Sequence, residues 1–216
     1  MLHSKSLQGH IVVVTGARGA LGSVLSRVLL EMEAIVSIPE IDVTNEEEVN
    51  AFYGQFENLY ASIHLVGGYS QGGPLETSGA DFDKMMAINA KSAFLCSKAA
   101  IKAMMKTPYA GGRIVNVVAR NAIYPEAGAD ALAYTMSKAS VAAMTKALAI
   151  DLNAHKIYVN AVAPSVMDTP ANRKAMPNED FSRWPKVIDV AEEIAFLASP
   201  DNKLISGALT PLFGLS

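Results

Sequence analysis

Cysteine is almost absent from this 216-residue chain: Cys96 is the only one. A single thiol cannot close an internal disulfide, so the sequence points to a reducing, cytoplasmic compartment, with Cys96 read as a small buried apolar residue. Charge is sparse as well, at 18% of residues, with 18 basic against 21 acidic side chains and a net charge of −3. That balance argues against nucleic acid or an anionic membrane as the main partner. No apolar run approaches the roughly 20 residues needed to span a bilayer. The opening Met1–His10 is polar, and Ile11–Val14 is too brief to form the apolar centre of a secretory signal. No repeat or low-complexity linker divides the chain. Half of its residues are apolar, enough for one sizeable core, so a single domain over residues 1–216 is expected.

What is present alternates. Ile11–Val14, Ala34–Ile38, Ser62–Val66, Ile114–Val118 and Lys156–Ala161 read as strands. Leu21–Glu31, Glu46–Phe56 and the longer Asp81–Lys106 and Ala133–Asn153 read as helices. Strands apolar on both faces, separated by helices, predict a doubly wound α/β domain: a parallel sheet with helices on both faces. Ligands in such sheets bind beyond the carboxyl ends of the strands. Two loops are expected there, the glycine-rich Gly67–Pro74 and Ser165–Val187, which carries three prolines and the only tryptophan, Trp184. At over 20 residues the second loop is read as a lid, against the plainer alternative that Trp184 packs on the sheet edge.

Thr15-Gly16-Ala17-Arg18-Gly19-Ala20-Leu21-Gly22 lies directly between the first strand and the first helix. Its glycines allow a tight turn, close approach of a pyrophosphate and close helix–sheet packing, with the helix N-terminus facing the phosphates. Further on, Tyr134-Thr135-Met136-Ser137-Lys138 places a phenol and an ammonium on one helical face. A nearby cation favours the phenolate, which would bring a tyrosine closer to acid–base work at neutral pH.

With the glycine loop about 115 residues upstream, this Tyr-x-x-x-Lys pair resembles the short-chain dehydrogenase/reductase family, and the resemblance runs nearly end to end. It implies an NAD(P)-dependent oxidoreductase acting on a small molecule, with Tyr134 as acid–base residue. Lys138 then lowers the Tyr134 pKa and binds the nicotinamide ribose, and Asn89 anchors a proton-relay water. It further implies a cofactor held by Gly16, Arg18, Gly19, Leu21 and Gly22, by the Asp42-Val43 pair around adenine, and by Val66, Gly67 and Gly68. Pro164, Ser165, Val166 and Thr169 fall in the stretch that holds the carboxamide. Relatives also associate through the faces matching the two long helices, which implies a homodimer or homotetramer. No metal is expected.

Three departures stand out. The family's Asn-Asn-Ala-Gly is His64-Leu65-Val66-Gly67 here, and His64, inside an apolar strand, is read as packed and hydrogen-bonded rather than as a ligand or acid. The catalytic serine is missing: in strand register from Asn116 its place is Ala119, whereas counting 13 residues back from Tyr134 reaches Asn121. The strand favours Ala119, and losing such a donor costs roughly 3–4 kcal/mol of transition-state stabilisation unless Asn121, Arg120 or a water replaces it. Finally, the chain is shortened after the second strand. That places Glu40 where a carboxylate grips the adenine ribose, favouring NAD over NADP, while Arg18 sits where NADP-preferring relatives carry a base. Gly67-Gly68-Tyr69, the alanine, and Asp168-Thr169-Pro170 through Trp184 together resemble the dihydropteridine reductase subgroup. A non-catalytic NAD(H) sensor is the competing reading.

Overall fold

The computed structural model describes residues 5–106 and 111–216, so the first four residues of the polar opening stretch lie outside it. Its strands are β1 (Ile11–Thr15), β2 (Ile35–Ser37), β3 (Leu59–His64), β4 (Gly112–Val117), β5 (Ile157–Pro164) and β6 (Leu209–Leu212). They pair in parallel in the order β2-β1-β3-β4-β5-β6. The helices are α1 (Ala20–Glu31), α2 (Glu46–Gly54), α3 (Gly79–Met85), α4 (Ser92–Met104), α5 (Arg120–Ile123), α6 (Leu132–Asp151), α7 (Pro170–Ala175) and α8 (Val187–Leu197).

Successive strand side chains point to opposite faces, and both faces are covered. Val12 and Val14 pack with Leu25 and Leu29 of α1 and Val190 and Ile194 of α8. Val13, between them, packs with Val49 and Tyr53 of α2 and Leu95 and Ala99 of α4. At roughly 25 cal/mol per Å2 of apolar surface, these two layers supply the main stabilisation of the sheet. β1 lies between β2 and β3, so the winding reverses there and opens a crevice at their carboxyl ends. From β2 the chain passes straight through α2 into β3, which is the expected shortening.

Several expected boundaries move. β2 keeps only Ile35–Ser37, and β3 begins at Leu59, because Leu59 pairs with Ile11 while Leu65 and Val66 leave the sheet. Lys156 is not in β5: it adopts a left-handed backbone, φ 56°, that closes the preceding turn. The helix expected over Asp81–Lys106 is interrupted by a π-turn at Met86–Lys91, and α2 stops at Gly54. Pro170 opens α7, where at a first helical position no amide donor is lost. Thr169 caps that helix by accepting from the Asn172 amide at 3.1 Å.

Candidate active site

The first turn after β1 has the geometry of a phosphate cradle. Gly16 has φ +70°, which a side chain rarely adopts, and a Cβ there would lie 3.0 Å from Leu65 and Val66 backbone atoms. A Cβ on Gly22 would lie 2.3 Å from the Gly16 carbonyl oxygen, so only glycine lets α1 pack this close to the loop. Gly19 caps α1 without any side-chain hydrogen bond, leaving the first-turn amides to a ligand. Leu21 is buried in the core, so only its backbone can serve a cofactor. Exposed Arg18 and Glu40 form an ion pair with each other above the loop. The two residues expected to pull cofactor choice in opposite directions are therefore partners.

Beyond β2, Val43 is buried against α2 and α4, and Asp42 accepts from the Thr44 amide and hydroxyl at 2.8 and 2.7 Å. The Thr44 hydroxyl is the main reason the Asp42 carboxyl is held below its usual range.

At the end of β3 the chain runs through Val66, Gly67 and Gly68 past Asn89, which the π-turn presents. Asn89 is buried and grips both backbone groups of Gly68: its Oδ1 accepts from the amide at 2.9 Å, and its Nδ2 donates to the carbonyl at 3.0 Å. The same Nδ2 lies 3.0 Å from Ser137 Oγ, which donates to the Tyr134 carbonyl at 2.7 Å. Asn89 thus ties the glycine turn to α6 beside Tyr134. A Cβ on Gly67 would fall 2.6 Å from Asn89 Oδ1 and 3.2 Å from Lys138 Nζ. Gly67→Ala is expected to lose about 1–3 kcal/mol of stability, by dislodging a buried polar group, and to weaken NADH binding. Gly54→Ala, where a Cβ meets nothing within 4 Å, is the control. Melting curves and NADH titration of both variants check this, and equal behaviour would contradict it.

Tyr134 and Lys138 stand one turn apart on α6. Lys138 is buried, donates to the Val117 carbonyl at 2.9 Å, and is brought down to about 8 by that burial. The sequence led us to expect a lowered Tyr134 pKa, and here the structure differs. Burial first, then the neighbouring Tyr69 phenol, push Tyr134 up to about 12. Desolvation penalises the phenolate, and the Lys138 ammonium is itself poorly solvated. The Tyr69 ring meets the Tyr134 ring edge-on at 5.1 Å.

β4 ends at Val117, and Ala119 occupies the N-terminal cap of α5. Asn121 is committed elsewhere, its Nδ2 lying 3.2 Å from Thr135 Oγ1. His64 is indeed packed and bonded, with Nε2 2.9 Å from Ser62 Oγ and Nδ1 2.8 Å from Asn116 Oδ1. Burial brings it down to about 4, so it stays neutral. His64 and Asn116 face each other in register on β3 and β4, and this pair ties the two strands side chain to side chain.

Pro164 ends β5, and Ser165 follows with its hydroxyl 3.0 Å from the Phe213 carbonyl and 2.7 Å from Ser216 Oγ. Val166 is partly exposed, whereas Thr169 is buried as the α7 cap. The following loop closes on itself through Asp168 and Lys186. Trp184 is buried, with its ring 4.9 Å from Phe181, and Arg183 donates twice to the Leu215 carbonyl. This loop is latched to the C-terminal segment, with Trp184 packed against Phe181.

A family model described as enoyl-(acyl carrier protein) reductase matches residues 4–212. The chain is 32% identical to an uncharacterized oxidoreductase of Thermotoga maritima, over 88% of this chain and 89% of that protein. It is 31% identical to a short-chain type dehydrogenase/reductase of Picea abies, over 80% and 68%. It is 29% identical to the 3-oxoacyl-(acyl-carrier-protein) reductase FabG of Rickettsia bellii, over 93% and 94%. Among solved structures, ligand-free aldohexose dehydrogenase of Thermoplasma acidophilum is similar with a TM-score of 0.85 at 26% identity, over 98% of this chain and 95% of that one. ElxO with NADP bound gives 0.85 at 26%, over 95% and 97%.

Proposed function

Because the chain belongs to the short-chain dehydrogenase/reductase family and is an NAD(P)-dependent oxidoreductase, we propose that it reduces a small carbonyl or quinonoid compound with Tyr134 as the proton donor. The observation that carries this reading is the meeting of Gly67, Asn89 and Lys138 beside Tyr134. When bound, the nicotinamide supplies the hydride. The residues around it bind, orient and move the proton.

Gly16 and Gly22 let the loop pack closely against the end of β3 and α1, Gly19 adds no side chain at the mouth of the helix, and the α1 amides face the pyrophosphate. Asp42 and Val43 stand at the adenine end, and Glu40 reaches the ribose hydroxyls. Val66, Gly67 and Gly68 line the floor, with Gly68 held still by Asn89. Lys138 takes the nicotinamide ribose, and Pro164, Ser165, Val166 and Thr169 border the carboxamide. Tyr134, protonated at neutral pH, donates its hydroxyl proton to the substrate oxygen.

For the cofactor we favour NAD(H). Glu40 repels a 2′-phosphate and also holds Arg18, the nearby cation that could read one. The expected preference is roughly 1–2 kcal/mol, about tenfold. Glu40→Ala should narrow or invert it, because the substitution both removes the repulsion and frees Arg18. NADH and NADPH titrations of parent and variant check this, and tighter NADPH binding by the parent would reverse the assignment. The reaction itself is tested by NADH oxidation with aldehydes, ketones, quinones and quinonoid dihydropterins, the last because of the likeness to dihydropteridine reductase. Failure to oxidise NADH or NADPH with any of them would defeat the reading.

A homo-oligomer fits an apolar groove of about 550 Å3 lined by Met86, Phe94, Val141 and Met144, between the π-turn, α4 and α6. No helix among the described residues is long and apolar enough to cross a membrane. The single buried Cys96 supports a reducing, cytoplasmic location.

A further inference from the structure

Arg120 follows Ala119 directly, at the carboxyl end of β4, and opens α5. α5 is fastened to α6 by the Asn121–Thr135 contact, one residue after Tyr134. The Arg120 guanidinium reaches the C-terminal segment, its central carbon 5.2 Å from the centre of the Phe213 ring. The carbonyl of that same Phe213 accepts from Ser165 at the end of β5. Arg120 thus stands on the element fastened to α6 next to Tyr134, with its guanidinium against the residue whose carbonyl also meets Ser165.

What it lacks is an anion. Its Nε is buried and has no hydrogen-bond partner, and among the described residues no carboxylate lies within ion-pair distance. By contrast, Arg18 and Arg173 each meet a carboxylate, Arg183 donates to a backbone carbonyl, and Arg113, whose Nε is likewise buried without a partner, donates through its other two nitrogens to backbone carbonyls. An aromatic face attracts a cation but leaves its charge uncompensated and its N–H donors unused. A partly buried guanidinium with unmet donors is costly unless something fills them.

We infer that Arg120 binds a carboxylate on the substrate, making the preferred compound a small carbonyl or quinonoid acid. A carboxylate matches the planar fork with two parallel hydrogen bonds, and its one negative charge matches the one positive charge of a guanidinium that has no acidic partner among the described residues. Position supports the same conclusion. Ala119 stands where a hydroxyl would have gripped the reacting oxygen, so an anchor on the adjacent residue can orient a substrate that has lost that contact. This inference rests on the proposed reductase activity, and Arg120 is assigned to binding, not to proton transfer.

The test compares matched acids and methyl esters, 4-carboxybenzaldehyde against methyl 4-formylbenzoate and levulinate against methyl levulinate, with NADH at pH 7. The parent should prefer each acid in kcat/KM by about 30-fold, the value of one charge-assisted hydrogen-bonded pair. Arg120→Met, which keeps an unbranched apolar stem against Phe213, should bring the acid-to-ester ratio to within a few-fold, mostly through KM. Arg120→Lys should fall between. A ratio near one in the parent, or a ratio that survives in Arg120→Met, would overturn the inference while leaving the reductase reading intact. If no carbonyl is reduced, that reading fails by itself, and titration with benzoate and benzamide decides the present one. Benzoate should bind the parent at least tenfold more tightly than benzamide, and Arg120→Met should abolish the difference. Equal binding of the two by the parent would refute the carboxylate site.

Discussion

Tyr134→Phe is expected to lower turnover by roughly 10²–10⁴-fold while NADH affinity changes no more than a few-fold. The substitution removes one oxygen and leaves a ring that can still meet the Tyr69 edge at about the present geometry. Because burial holds the phenol near 12, Tyr134 is protonated throughout the neutral range, the state needed to donate a proton to a substrate being reduced. The family resemblance places a serine hydroxyl at Ala119, and without that donor to share the substrate oxygen the dependence is expected to be steeper. Steady-state rates and cofactor titrations of the same two preparations decide the matter. Comparable kcat in variant and parent would remove Tyr134 from the chemistry.

Lys138→Met should do something less intuitive: abolish turnover and raise the melting temperature of the cofactor-free protein. Lys138 is buried with a single hydrogen bond among the described residues, to the Val117 carbonyl, and is brought from its usual 10.5 to about 8. That displacement corresponds to a penalty of roughly 3 kcal/mol for keeping the ammonium charged in the fold. The Val117 carbonyl left behind returns about 1 kcal/mol of that, so a net gain near 2 kcal/mol is expected at pH 7. The sign follows from proton counts. Below about pH 8 both folded and unfolded chains carry the Lys138 proton, and the whole penalty is present. Between about 8 and 10.5 the unfolded chain holds the proton and the folded one does not, so parent stability rises with pH. The advantage of Lys138→Met should therefore be greatest at neutral pH and close toward 10.5. Added NADH should stabilise the parent more than the variant, because Lys138 is assigned to the ribose. A variant less stable than the parent at pH 7 would contradict the buried-charge account.

Elements that declare themselves over a few consecutive residues were legible from sequence. β1 followed by Gly16, Gly19 and Gly22 is such a case, as is the Tyr134–Lys138 spacing on one helix. Features made by distant residues were not. The His64–Asn116 tie joins positions 52 apart, and the Arg18–Glu40 pair joins positions 22 apart. The π-turn that presents Asn89 has no local signal, since nothing in Met86–Lys91 opposes an ordinary helix. The direction of the Tyr134 displacement depends on how much solvent the fold removes, which spacing does not encode. β6 was hidden by Pro211, a residue that argues against a strand when read alone. α8 does carry a helical period in Val190, Ala191, Ile194 and Leu197, and it lies just past the loop that the prolines drew attention to.

The two outermost strands bear on how copies of this chain can meet. An edge strand exposes unpaired amides and carbonyls that a second molecule can extend into a larger sheet, the usual start of fibrous aggregation. At one border β2 is only three residues long, too short a template to hold an incoming strand. At the other, Pro211 sits inside β6 and withholds an amide where a new ladder would need one. Both borders thus discourage edge-to-edge growth, so copies of the protein can crowd together through helix faces without polymerising through the sheet.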